Sequence, residues 1–143
     1  MSQRLSARLR QVVDALPLWD GVRVLEIGCG PGAAAREVAR RTGAGHVHAI
    51  DRSARAITQA VALSQEAIEA GRLSFEQVAV EDFRLAEGEA PFDLAFAVRV
   101  GALDGRHPEL GRRALPRIAV ALTPGGLLLV GDGRPMMPVH LGR

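Results

Sequence analysis

Gly28, Gly30 and Gly32 follow Glu26 in the run VRVLEIGCGPG (residues 22–32), where an apolar strand empties directly into a glycine loop. Glycine at such points removes side chains where the backbone must turn tightly and approach a ligand. The next residues, AAAREVARR at 33–41, read as a helix whose first N–H groups face the loop, so an anion, a carboxylate or a hydroxyl can sit there. Gly28, Gly30 and Ala33 also satisfy the spacing of a dinucleotide fingerprint. Asp51, 23 residues beyond Gly28, stands close to the distance expected of a ribose-binding acid, which keeps nicotinamide dinucleotides in play. Glu26 argues the other way. A carboxylate beside the loop repels a pyrophosphate and favours a nucleoside that carries an ammonium and a carboxylate.

The elements that must position these residues follow from hydrophobic periodicity. Strands are expected at 23–27, 46–50, 73–78, 92–98 and 127–130, and helices at 3–16, 33–41, 54–70 and 110–122. Short apolar strands alternating with helices predict an α/β domain with right-handed crossovers and a mostly parallel, Rossmann-like open sheet of about five strands. A length of 143 residues with 48 % hydrophobic content fits a single domain spanning 1–143. No run approaches 18 apolar residues and no apolar segment follows Met1, so the expected location is the cytoplasm, with no membrane partner.

One cysteine excludes an internal disulfide and a thiolate-rich metal cluster. His46 and His48 share one side of a strand, but no third ligand is near them in sequence, so no metal site is expected. The 18 basic residues are all arginine, and the formal charge is only +2. Basic spots at Arg4, Arg8 and Arg10, at Arg36, Arg40 and Arg41, and at Arg112, Arg113 and Arg117 are too short to track phosphates. With four phenylalanines and one tryptophan to stack on bases, nucleic acid is not an expected partner.

Taken together, EIGCGPG (26–32), AIDRSA (49–54), PFDLAFA (91–97) and LTPGGLLLV (122–130) resemble, in order, the motifs of the class I S-adenosylmethionine-dependent methyltransferases. The resemblance implies the strand order 3-2-1-4-5, S-adenosyl-L-methionine as cofactor, and methyl transfer to a small-molecule hydroxyl or amine acceptor. It also implies roles for residues. Gly28, Cys29 and Gly30 would wrap the methionine part. Glu26 would either accept loop N–H groups or receive the ammonium. Asp51 would accept from both ribose hydroxyls, the alternative being a helix cap, although Ser53 already supplies one. Arg52 would lie along the adenine face through its aliphatic stem, or be a plain surface arginine.

Many relatives carry an acid at the position aligned with Ala79, and this chain departs from them. Contact with adenine is left to Val80 through its backbone N–H and to Glu81 or Asp82. Ala97 and Val98 would border the methyl-transfer cavity, and Arg99 would either bind an anionic substrate or pair with an acid such as Asp104. Asp104 and His107 are the nearby polar groups that qualify for proton removal. The amino-methylating tetrapeptides and the Pro-Cys pair of nucleic-acid methyltransferases are absent from the sequence.

The twelve residues from Asp132 to Arg143 cannot supply the two further strands of the usual sheet with their connecting helix. The chain therefore reads as a compact form whose fifth strand is an edge. That edge would be covered by a homodimer partner or by its own tail, or it marks a remnant. Missing strands and Ala79 motivate an alternative function, a catalytically inactive cofactor-binding or structural protein of the same fold.

Overall fold

The computed structural model describes residues 5–132 and 136–142. Along the chain run α1 (Ala7–Ala15), β1 (Arg23–Ile27), α2 (Ala33–Arg41), β2 (His46–Asp51), α3 (Ala54–Leu63), α4 (Gln65–Glu69), β3 (Leu73–Gln77), a 3-10 turn at Val80–Asp82, β4 (Phe92–Val98), α5 (Pro108–Ala121), β5 (Leu122–Gly131) and β6 (Met137–Pro138). The sheet order is β3-β2-β1-β4-β5-β6. The first five strands pair in parallel, and β6 runs antiparallel to β5.

Parallel strands are covered on both faces, which is why their sequences are nearly continuous in apolar residues. Val24 and Val47 pack with Val12, Val13, Ala35 and Val38 on the side of α1 and α2. Leu25, Ile27, Ile50 and Leu128 pack with Phe83, Ala114 and Ile118 on the side of α5. Successive side chains of one strand thus serve two cores, and all strand ends that carry the glycine loop, Asp51, Val78 and Arg99 emerge on one edge of the sheet.

The observed order contains the expected 3-2-1-4-5, and several elements differ from expectation. The helix expected over 54–70 is broken at Ser64, which is buried and whose hydroxyl receives Arg36 Nη1 at 3.0 Å. The fifth strand begins at Leu122, directly out of α5, rather than at 127. Phe92 pairs with Leu122 and Leu94 with Leu127, so the TPGG segment is an irregularity within the strand. A sixth strand exists: Met137 and Pro138 pair with Val130 and Leu129, so part of the β5 edge is covered by the chain's own tail. Helix α1 starts at Ala7, capped by the Ser6 side chain, which accepts the Leu9 N–H. Residues 3 and 4 of the expected helix lie outside the described residues.

Two of the basic spots are partly paired with acids. Arg40 and Arg41 both pair with Glu37, Arg41 also reaches Asp14 at 2.7 Å, and Arg113 meets Asp82 at 3.3 Å. Among the described residues no helix is long and apolar enough to cross a membrane, and no group of three His, Cys, Asp or Glu side chains is placed to hold a metal ion.

Candidate functional site

The glycine loop is stitched to the end of β2. The N–H groups of Gly28 and Cys29 both donate to the Ile50 carbonyl, at 2.8 and 3.0 Å, and the Gly30 N–H donates to Asp51 Oδ2 at 2.8 Å. Three consecutive loop donors are therefore spent inside the protein. A loop that cradles a pyrophosphate needs those donors free, so the dinucleotide reading loses its physical basis here. The other end of the loop is held by Arg36, whose Nη1 donates to the Pro31 carbonyl at 2.8 Å as well as to Ser64. Sequence reading placed Arg36 in a surface basic spot. The signal for its role was its position one helical turn beyond Gly32, from which a long side chain folds back over the loop.

Gly28 marks the tightest point. Its φ is +73°, and a Cβ there would lie 2.6 Å from Cγ2 of Val100. We expect Gly28→Ala to cost about 1–2 kcal/mol from the left-handed backbone alone and to displace Val100 as well, read as a lowered melting temperature together with at least a tenfold weaker affinity for the crevice ligand.

Three depressions meet at this point. The first, about 500 Å³, is lined by Glu26, Gly28, Cys29, Gly30, Ala34, Val98 and Arg99, with Ser6, Arg8 and Leu9 of the α1 region on its rim. The second, about 70 Å³, lies between Gly28, Asp51, Arg52, Val80, Glu81 and Val100. The third, about 340 Å³, is bounded by Ala97, Arg99, Val100, Leu103, Asp104, Val130 and Asp132. Gly28 belongs to the first two, Val100 to the last two, and Arg99 to the first and third. The result is one three-lobed crevice at the carboxyl ends of β1, β2 and β4, where open α/β sheets bind ligands.

Glu26 lies under the first lobe with 4 % of its surface exposed, and its Oε1 has no hydrogen-bond partner. Burial, and then the nearby Asp51 carboxylate, push its pKa up to about 8, against the opposing pull of the Ala35 N–H and the Arg36 guanidinium. A buried acceptor without a donor is costly unless a ligand completes it, and an ammonium does so. Cys29 is held neutral by burial and by the same two carboxylates, and its Sγ donates to the Gly30 carbonyl at 3.4 Å.

Asp51 borders the second lobe and does not cap α3. Ser53 is that cap, accepting the Ala56 N–H, while Asp51 Oδ1 accepts the Ser53 N–H at 2.9 Å. Each Asp51 oxygen keeps a further lone pair for a ligand hydroxyl. Of the two acids after Ala79, Glu81 is buried against the second lobe, whereas Asp82 is exposed and occupied by Arg113. Arg52 lines the same lobe with its side chain largely exposed.

Ala97 is buried at the wall of the third lobe. Arg99 directly follows β4 with φ at +57°, the only described non-glycine residue in the left-handed region. The pairing considered between Arg99 and Asp104 is not formed. Asp104 instead receives Arg106 Nε on both oxygens, at 2.8 and 3.0 Å, and Arg106 Nη2 donates to the Arg99 carbonyl at 2.8 Å. The Arg99 backbone is thus fixed while its guanidinium makes no hydrogen bond or ion pair among the described residues. His107 precedes α5. Its N–H donates to the Gly101 carbonyl at 3.0 Å, its ring lies against Gly101, and it lines none of the three lobes.

This geometry defines an α/β domain with a crevice at the carboxyl ends of its parallel strands. Residues 24–126 match the methyltransferase domain family. The chain is 33 % identical over 127 residues to trans-aconitate 2-methyltransferase of Pseudomonas paraeruginosa, a match covering 85 % of this chain and 42 % of that protein. It is 32 % identical over 123 residues to the O-methyltransferase resE of Aspergillus sclerotiorum, covering 86 % and 44 %. Among solved structures, the [4+2]-cyclase SpnF is similar with a TM-score of 0.67 and 31 % identity, covering 85 % and 42 %. An S-adenosylmethionine-dependent methyltransferase from Thiobacillus denitrificans in complex with S-adenosyl-L-homocysteine is similar with a TM-score of 0.63 and 25 % identity, covering 86 % and 46 %. The chain belongs to the methyltransferase domain family and has the fold of its class I, S-adenosylmethionine-dependent members. It spans less than half the length of these relatives.

Proposed function

We propose that this single domain binds S-adenosyl-L-methionine in the three-lobed crevice and methylates a hydroxyl or amine of a small-molecule acceptor. The observation that carries the reading is the convergence of the three lobes on Gly28, Arg99 and Val100. One lobe suits an amino-acid tail, one a nucleoside, and the third adjoins both. Glu26 would hold the ammonium, Asp51 the ribose hydroxyls, and Val80, Glu81 and Arg52 the adenine, with Gly28, Cys29 and Gly30 lining the methionine part. Ala97 would border the methyl group. The cofactor supplies an electrophilic sulfonium methyl, so the remaining work is alignment of an acceptor lone pair in a desolvated space.

Arg99 would hold an anionic part of the acceptor, supported by its unpaired guanidinium at the wall between two lobes and by the relatives named for trans-aconitate. Asp104 is one of two carboxylates of the third lobe, with Asp132, and is our choice to take a proton from the acceptor. His107, the other group singled out, would need the loop before α5 to move. Arg99→Gln should raise KM for carboxylate-bearing acceptors about 10- to 100-fold, the worth of one charge-assisted contact, with a much smaller effect on kcat.

Calorimetry and thermal shift with S-adenosyl-L-methionine test the binding step, and absence of both heat and stabilisation at millimolar ligand would reject it. Release of S-adenosyl-L-homocysteine with a panel of hydroxyl, amine and carboxylate acceptors tests the transfer. A second reading, a binder or structural protein without turnover, draws on one observation: Ala79 lines the second lobe and offers no side-chain acceptor for the adenine amino group. Binding without turnover across the panel would favour it.

A further inference from the structure

From the amino-terminal ends of β2 and β3 toward the crevice, the two strands are joined by a continuous hydrogen-bonded chain. His46 Nδ1 lies 2.8 Å from the Gly71 carbonyl and His46 Nε2 lies 2.8 Å from Ser74 Oγ. The same Oγ lies 2.7 Å from His48 Nδ1, and His48 Nε2 lies 2.9 Å from Glu76 Oε1. The imidazole of His48 is stacked on Phe92, with ring centroids 6.2 Å apart, and tilted against Phe83.

Counting protons decides what this chain is. Both ends, a carbonyl and a carboxylate, only accept, so four links need four protons. Two neutral imidazoles and one hydroxyl supply three. From this arithmetic we infer that the closed chain is a proton clasp: His46, Ser74 and His48 share one additional proton, and its loss opens a link between β2 and β3.

With Glu76 ionised, two arrangements hold the extra proton with all four links intact. Either His48 is imidazolium and Ser74 donates to His46, or His46 is imidazolium and Ser74 donates to His48. A relayed shift of two protons through Ser74 Oγ, one from His48 Nδ1 to Oγ and one from Oγ to His46 Nε2, interconverts them, and the adjacent Glu76 carboxylate favours the first. Other charged groups facing the clasp are few. Arg23 of β1 lies over the Phe92 ring at 5.3 Å and is held by Glu89 at 3.2 Å. Arg84, on the segment leading to β4, lines the same small pocket, and Asp93 of β4 is turned to the Arg23 N–H at 3.0 Å. None of these supplies the missing donor.

Glu76→Gln gives a sharp test. A side-chain amide can donate to His48 Nε2, so the four links close with neutral imidazoles and no added proton. In the full chain, labelled at histidine nitrogens and followed by NMR from pH 5 to 9, the two imidazoles should titrate together as one proton. Protection factors of the β3 amides should fall about fivefold when that proton leaves, as loss of one hydrogen bond requires. In Glu76→Gln the fall should vanish, and in Ser74→Ala the two imidazoles should titrate independently. Independent titrations in the unaltered protein, joint titration with β3 protection unchanged, or an undiminished fall in Glu76→Gln would each overturn the inference.

Discussion

Asp51→Ala should weaken binding of S-adenosyl-L-methionine by two to three orders of magnitude, the largest loss expected from any one side chain of the crevice. Two effects combine. The variant removes the acceptor proposed for the ribose hydroxyls, and it releases the Gly30 and Ser53 N–H groups that Asp51 now holds at 2.8 and 2.9 Å. The first acts on the ligand directly at about 1.5–3 kcal/mol for hydrogen bonds to a charged group. The second frees a loop that must then be ordered on binding. Calorimetric titration measures the sum, and unfolding of the ligand-free variant measures the structural part, expected at about 1–3 kcal/mol. Asp51→Asn keeps an acceptor for only one of the two N–H groups, so it should fall between. An affinity within twofold of the unaltered domain would remove Asp51 from the site.

The second large effect concerns Glu26 and pH. In the folded, ligand-free domain its carboxyl keeps a proton up to about pH 8, whereas in the unfolded chain it releases it near 4.5. Between those values the native state binds one proton more than the unfolded state, so stability falls as pH rises. This contribution is fully present below about pH 4.5 and is lost as pH passes through about 8. Its size is on the order of 5 kcal/mol, the free energy of a shift from 4.5 to about 8. Glu26→Gln carries no such proton. The difference in unfolding free energy between the two proteins should therefore change by several kcal/mol from pH 5 to pH 9, with the glutamine variant the more stable at the alkaline end. Parallel curves would show that Glu26 ionises in both states alike. A bound ammonium changes the sign of the demand on Glu26, so cofactor binding near pH 7 should release close to one proton, readable as a dependence of binding heat on buffer ionisation enthalpy.

Much of this architecture was legible because its signals are local. Strand periods, the glycine loop and Asp51 at the end of β2 are written in contiguous residues, and Ser53 could be recognised as the α3 cap that leaves Asp51 free for other work. What escaped reading depends on contacts between distant segments. Residues 54–70 carry an unbroken helical pattern, and the break at Ser64 comes with a guanidinium arriving from α2. TPGG has turn chemistry, yet pairing of Leu122 and Leu127 with β4 draws it into a strand. The partner of Asp104 was equally out of reach: Arg99 and Arg106 are both close in sequence, and only the positive φ of Arg99, with its carbonyl clamped by Arg106, decides between them. The proton-sharing link between β2 and β3 has a sequence trace only in hindsight, as alternate polar residues facing each other on two strands.

The spent donors of Gly28, Cys29 and Gly30 bear on how quickly the domain can work. Because their hydrogen bonds already run to Ile50 and Asp51, nothing in that turn waits for a guest before taking shape. Capture then resembles a key entering a finished lock: arrival should follow diffusion and charge steering, with no slow backbone rearrangement at the turn after β1, and differences in residence time among ligands should trace to what each leaves unsatisfied at Glu26.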